Sequence, residues 1–208
     1  MAGRADSFPT VTVILRGYSY ESCRCVAQGM VGSKLRSIEV AMNTPGAPEI
    51  INKLSNEFGN EILVGAGTVT TSQRARSAIE AGSKFLLSPI CFSDELFAIA
   101  KEADVLSVPA AFSPSEVCEM LEKGADIVKV FPASRLGAQY FSDIQAPLGP
   151  MPLMAVGGIT TDNAQEYLSA GASFVGIGSG IFRRQDILDG NIAAIQAQIA
   201  QFEAKIRW

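Results

Sequence analysis

With 208 residues, 48% of them hydrophobic and 18% charged, the chain is long enough for one well-cored domain. Its net charge of −4 offers no basic footprint for nucleic acid, and no apolar stretch approaches the roughly 18 residues of a membrane span. The absence of histidine removes Ser-His and Cys-His nucleophile schemes, leaving proton transfer to Glu, Asp, Tyr, Lys or water.

Residues 1–8 carry Arg4 and Asp6 but no apolar segment, so they read as a flexible arm rather than a signal peptide, and a cytoplasmic location is expected. Short runs of β type then recur roughly every 20 to 26 residues, at 11–17, 37–43, 63–69, 85–91, 105–112, 127–133, 152–159 and 174–180. Helix-like segments fall between them, among them 49–57, 72–81, 113–123 and 161–170. Gly82, Gly124 and Gly171 stand where helix ends need a left-handed residue. Ser113-Pro114-Ser115-Glu116 has the form of a capping box with proline at the first helical position. Thr161 or Asp162 is the expected cap of the 161–170 helix. Residues 192–208 read as a terminal helix.

Alternation of strand and helix implies a parallel sheet, and eight units imply a single-domain (β/α)8 TIM barrel spanning residues 1–208. An open doubly wound sheet is the runner-up, weakened because no strand–G-x-G-x-x-G–helix unit appears near the start. Cys23, Cys25, Cys91 and Cys118 show no C-x-x-C spacing; with no histidine, a zinc site is not expected. A magnesium ion held by carboxylates stays open at this stage.

Reactive groups of a barrel collect at the C-terminal ends of its strands, and polar residues interrupt the apolar runs there. Arg16-Gly17 ends the first run, Glu39 sits in the second, and Gly65-Ala66-Gly67-Thr68-Val69 closes the third. Lys129 stands in the sixth, inside Ile127-Val128-Lys129-Val130-Phe131-Pro132-Ala133. An ammonium there is costly unless paired, hydrated or driven toward its neutral form, and neutral lysine is the nucleophile of Schiff-base chemistry. The bland alternatives are a snorkelling lysine or a structural ion pair with Glu39. Two glycine clusters end the last two runs, at Gly157-Gly158 and at Gly176-Ile177-Gly178-Ser179-Gly180. Loops in these positions are the recurrent phosphate site of such barrels.

Together these segments resemble the 2-keto-3-deoxy-6-phosphogluconate and 2-keto-3-deoxy-6-phosphogalactonate aldolases, class I Schiff-base enzymes. The resemblance is carried by Leu15-Arg16-Gly17, Ile38-Glu39-Val40, Gly65 to Val69, Ser88-Pro89, Lys129 to Ala133, Gly137-Ala138-Gln139-Tyr140 and Gly157-Gly158-Ile159. It implies a homotrimeric barrel without metal or cofactor, acting on a phosphorylated keto sugar acid to release pyruvate and glyceraldehyde 3-phosphate. It implies Lys129 as the imine lysine, Glu39 as general acid/base and Arg16 beside them. It further implies Thr68, Pro89, Phe131 and Val156 as substrate contacts, with Gly157, Gly158, Gly178 and Ser179 around the phosphate. Three positions depart from the pattern: Ala110 where the family usually has glycine, Ile90 after Ser88-Pro89, and Asn43 where one subfamily has arginine. The Ile90 and Ala110 side chains are expected to narrow the pocket. Competing readings are a thiamine-phosphate-synthase-like barrel, a metal-dependent class II aldolase and a non-catalytic phosphosugar-binding protein.

Overall fold

The computed structural model describes residues 4–208. In chain order the elements are β1 (Val11–Leu15), α1 (Tyr20–Met30), β2 (Ser37–Ala41), α2 (Ala47–Phe58), β3 (Leu63–Gly67), α3 (Ser72–Glu80), β4 (Phe85–Leu87) and α4 (Asp94–Glu102). They continue with β5 (Leu106–Val108), β6 (Ala110–Ala111), α5 (Pro114–Glu122), β7 (Val128–Val130), α6 (Gln139–Leu148), β8 (Leu153–Val156), α7 (Ala164–Ser169), β9 (Phe174–Ile177), α8 (Arg184–Leu188) and α9 (Ile192–Glu203).

Every strand pair among the described residues is parallel, and each strand lies within one of the eight expected runs. The fifth run is the exception in form: Pro109 divides it into β5 and β6. Proline has no N–H to give to a ladder, so the strand breaks there. β5 pairs with β4, while β6 pairs with β7, and the Pro109 carbonyl still accepts the Lys129 N–H at 2.8 Å. The sheet order β5-β4-β3-β2-β1-β9-β8-β7-β6 therefore runs from one half of this strand to the other, which closes the (β/α)8 barrel. The open-sheet alternative is thereby set aside.

Side-chain caps start α1, α3, α4, α5 and α9. Ser113 accepts the Glu116 N–H while the Glu116 carboxylate accepts the Ser113 N–H, the reciprocal box its sequence implied. Gly82, Gly124 and Gly171 all have positive φ at helix ends. The expected cap of α7 is corrected: neither Thr161 nor Asp162 occupies the N-cap, but Asn163. Its amide is engaged in the preceding loop, accepting from Thr160 N–H at 2.8 Å and donating to the Gly158 carbonyl at 2.9 Å. Of the terminal segment 192–208, Ile192–Glu203 is helical as α9.

Two packed regions result. One lies between sheet and helices; the other fills the barrel interior and contains Phe85, Leu87, Val108, Met154, Val156 and Phe174. The N-terminal segment joins the second. Of residues 1–8, expected as a flexible arm, 1–3 lie outside the described residues, and the rest requires correction. Arg4–Ser7 is a 3₁₀ turn, and the buried Phe8 ring meets Phe85 and Phe174 edge-on at 5.1 and 5.5 Å. Burying one such ring stabilises by roughly 1.5–3 kcal/mol, enough to hold the segment across the barrel floor.

Candidate active site

At the opposite end of the barrel a cavity of about 450 Å³ opens between the C-terminal ends of the strands. Its wall brings together Arg16, Glu39, Lys129, Phe131, Val156, Gly157, Gly158, Gly178 and Ser179, all expected from the sequence. Positions scattered over more than half the chain meet because parallel strands point their C-termini the same way.

Lys129 is the central residue of β7, between Ala110 of β6 and Met154 of β8, and is 4% exposed. Residues two apart on a strand share a face, so Phe131 turns its ring toward the amine, with Nζ 4.6 Å from the centroid. Burial lowers the Lys129 pKa to about 8; the Glu39 carboxylate draws it up and the Arg16 guanidinium pushes it down. A useful fraction of the amine is then neutral near physiological pH.

Glu39 sits in β2, flanked by Ile14 of β1 and Gly65 of β3, and is 1% exposed. Burial raises its pKa above the ordinary carboxylate range, against the pull of Lys129 and Arg16. Oε2 has no hydrogen-bond partner, and no direct ion pair joins Glu39 to Lys129. A snorkelling Lys129 and a structural Lys129–Glu39 pair are both poorly supported by this geometry. The carboxylate fits only because Gly67 has no side chain: a Cβ there would lie 1.3 Å from Glu39 Oε1. The expected result of Gly67→Ala is therefore a folded protein with a displaced carboxylate. Overpacking of this kind costs about 1–3 kcal/mol. Turnover should fall toward that of a Glu39 variant, while thermal unfolding shows only a modest loss. Full activity in Gly67→Ala would show that the carboxylate position is not critical.

Thr68 does not line the cavity directly but reaches it through Arg16, whose Nη2 donates to Thr68 Oγ1 at 3.2 Å. Thr68 has φ 55°, a left-handed conformation costing on the order of 1–3 kcal/mol for such a residue. Arg74 holds it there, donating through Nη1 to the Thr68 carbonyl at 3.1 Å and to Thr70 Oγ1 at 3.0 Å. Sequence reasoning did not single out Arg74, because an arginine in the first turn of a helix has no distinguishing pattern.

The two glycine clusters form one cradle. Gly157 and Gly158 have φ 97° and 77°, and a Cβ on Gly157 would lie 3.1 Å from the Pro132 Cα. Only glycine fits both conditions. Thr161 clamps this loop to the second cluster, its N–H and hydroxyl both donating to the Gly180 carbonyl, at 3.1 and 3.2 Å. Among the described residues no backbone hydrogen bond uses the N–H groups of Gly158 and Ser179, which suits them to an anion.

Pro89, half-buried after β4, is like Thr68 not part of the immediate cavity wall. Two expectations need correction. Ile90 is 53% exposed and Ala110 is buried in β6; neither lines the cavity, so neither narrows it. Conversely, Tyr18 and Arg184 line the wall unforeseen, stacked with the guanidinium carbon 5.1 Å from the ring centroid. The only hint of Arg184 was a cation shortly after the second glycine cluster. The charged wall residues are thus Arg16, Lys129 and Arg184 against Glu39, a cationic cavity in an acidic chain. Among the described residues no cluster of carboxylates and cysteines could hold a metal ion.

Comparison with known proteins agrees with this arrangement. The family model for KDPG and KHG aldolase matches residues 5–198. The 2-dehydro-3-deoxy-6-phosphogalactonate aldolase of Escherichia coli (strain K12) is 28% identical over 171 residues, 82% of this chain and 83% of that protein. The 2-dehydro-3-deoxy-phosphogluconate aldolase of Treponema pallidum (strain Nichols) is 31% identical over 173 residues, 83% and 81% of the two chains. The KDPG aldolase of Legionella pneumophila, solved with pyruvate captured as a covalent carbinolamine, superposes with a TM-score of 0.83 at 28% identity over 92% of each chain. The chain belongs to the KDPG and KHG aldolase family and is an aldolase, a carbon–carbon lyase.

Proposed function

We propose that the chain cleaves a 2-keto-3-deoxy-6-phospho sugar acid, of the gluconate or galactonate type, to pyruvate and glyceraldehyde 3-phosphate through an imine on Lys129. The observation that carries this reading is an apolar-walled lysine with a pKa near 8, sharing a cationic cavity with an unpartnered carboxylate. Neutral Nζ adds to the C2 ketone to give a carbinolamine, the species captured with pyruvate in the Legionella relative. Glu39, protonated more readily than an ordinary glutamate, gives its proton to the departing hydroxyl, and water leaves. The protonated imine draws electrons from the C3–C4 bond. Glu39, now a carboxylate, takes the C4 hydroxyl proton directly or through water; the bond breaks and the aldehyde departs. The electron pair left on C3 as an enamine takes up a proton, and water hydrolyses the imine to release pyruvate. Arg16 and Thr68 suit the substrate carboxylate, Phe131 its carbon chain, and Gly157, Gly158, Gly178 and Ser179 its phosphate. Pro89, half-buried after β4, is a further proposed substrate contact.

Borohydride reduction in the presence of pyruvate and EDTA, followed by peptide mass mapping, tests the proposal. A pyruvate-derived adduct on Lys129 is expected. Absence of any adduct, or one on Lys34 or Lys84, would overturn it. A non-catalytic phosphosugar-binding reading rested on Ile90 and Ala110 obstructing the pocket, and loses that support.

Val156 lines the cavity just before the Gly157-Gly158 pair, and its side chain offers no hydrogen bond to the substrate's C4 hydroxyl. The galactonate-derived epimer should therefore be cleaved at least as well as the gluconate one. Val156→Thr adds a hydroxyl worth about 0.5–1.5 kcal/mol and should move the kcat/KM ratio toward gluconate by up to roughly tenfold. A strong gluconate preference in the native protein would contradict this.

The proposal extends to a homotrimer. Ile90, Phe112 and Leu148 are 53%, 46% and 48% exposed, apolar surface that a neighbouring subunit would cover. Light scattering should give the mass of three chains, and a monomer at micromolar concentration would refute the assembly. Cysteines 23, 25, 91 and 118 are all free, which supports a reducing, cytoplasmic compartment.

A further inference from the structure

We propose that Arg184, seated on the ring of Tyr18, is the cation that receives the substrate's phosphate. The inference rests on the aldolase reading above and adds to it a specific counter-charge. The glycine cradle supplies N–H donors but no full charge, and a dianion entering a partly dry cleft needs more compensation than backbone dipoles provide. Of the cations in the wall, Arg16 donates to Thr68 and is assigned with it to the substrate carboxylate, and Lys129 lies deep beside Glu39. Arg184 has no carboxylate partner among the described residues, whereas its neighbour Arg183 is neutralised by Asp186 at 2.8 Å.

Arg184 is also well mounted. The Arg183 N–H donates to Oε1 of the buried Gln198 at 2.6 Å, and Gln198 Nε2 donates to Asp186 Oδ2 at 3.0 Å. The backbone at the start of α8 is therefore tied to α9. The Tyr18 ring then supports the guanidinium plane, limiting the rotamer entropy lost when an anion binds. A guanidinium so held presents paired N–H groups to two oxygens of one phosphate, the geometry that favours arginine over lysine. Neither residue alone marks the site; chain closure brings Tyr18, after β1, against Arg184, after β9.

The aldol addition of pyruvate to an aldehyde separates the possibilities. With Arg184→Gln, KM for glyceraldehyde 3-phosphate should rise about 10- to 100-fold more than KM for unphosphorylated glyceraldehyde, as expected for a lost charge-assisted bond. Tyr18→Phe, which keeps the ring face, should retain the native ratio, and Tyr18→Leu should reproduce part of the loss. Equal effects on both acceptors, or no effect, would overturn the assignment. Titration with inorganic phosphate reads the same site without any chemistry. Weaker binding to Arg184→Gln than to the native protein supports the inference even if no pyruvate adduct forms. Undiminished binding overturns it even if the adduct does form.

Discussion

Lys129→Ala should abolish both aldol cleavage and borohydride trapping by pyruvate while leaving the barrel folded. No second lysine or histidine lines the cavity to substitute as nucleophile, so the loss is expected to reach the detection limit rather than a fraction of native rate. Folding should survive because the ammonium is a cost to the native state. A lysine lowered from 10.5 to about 8 contributes stability that is fully present above 10.5 and lost as pH falls toward 8. Native stability relative to Lys129→Met, which fills a similar volume without titrating, should therefore climb between about pH 8 and 10.5. At neutral pH the Met variant should be at least as stable as the native protein. In the native enzyme, adduct formation with pyruvate should accelerate as pH rises through about 8, where the amine becomes neutral. A flat pH profile, or residual trapping in Lys129→Ala, would remove Lys129 from the chemistry.

Glu39→Gln should slow turnover by at least about 10²-fold, the usual cost of a missing acid/base group. Glutamine keeps the shape but can neither give a proton to the leaving hydroxyl nor take one from the C4 hydroxyl. Because Lys129 remains, pyruvate trapping should persist at long incubation but form slowly, distinguishing a proton-transfer role from loss of the pocket. The stability effect follows from the raised pKa. A carboxyl group whose folded pKa lies above 4.5 contributes stability present below that value and lost as pH rises through the folded pKa. The Gln variant should lack this loss and be no less stable than the native protein near neutrality. Native turnover in Glu39→Gln would reduce Glu39 to a modulator of Lys129.

Much of the barrel was legible because strands of a closed parallel sheet are buried on both faces and read as unbroken apolar runs. The eight runs were read a few residues too long. Their polar C-terminal residues, such as Arg16-Gly17 and Thr68, belong to the loops that build the site. Lys129 and Glu39 stood out for the same physical reason: a charge in an apolar run is too costly to be accidental. The paired glycines stood out because two clusters occurred where such barrels hold anions.

Other features had no local signature. Phe8 is one aromatic before a proline, without periodicity, and only the barrel floor formed by Phe85 and Phe174 gives it a place. The need for glycine at position 67 shows only when β3 lies beside β2, where its missing Cβ is the space occupied by Glu39. Arg74 and Arg184 look like any exposed helical arginine, and their partners Thr68 and Tyr18 are recognised only across the closed sheet or loop. Strand identity, the buried lysine and the glycine cradle follow from local patterns of apolarity and burial cost. Contacts among exposed or small residues depend on which segments become neighbours, and only the folded sheet decides that, by setting β3 beside β2 and β9 beside β1.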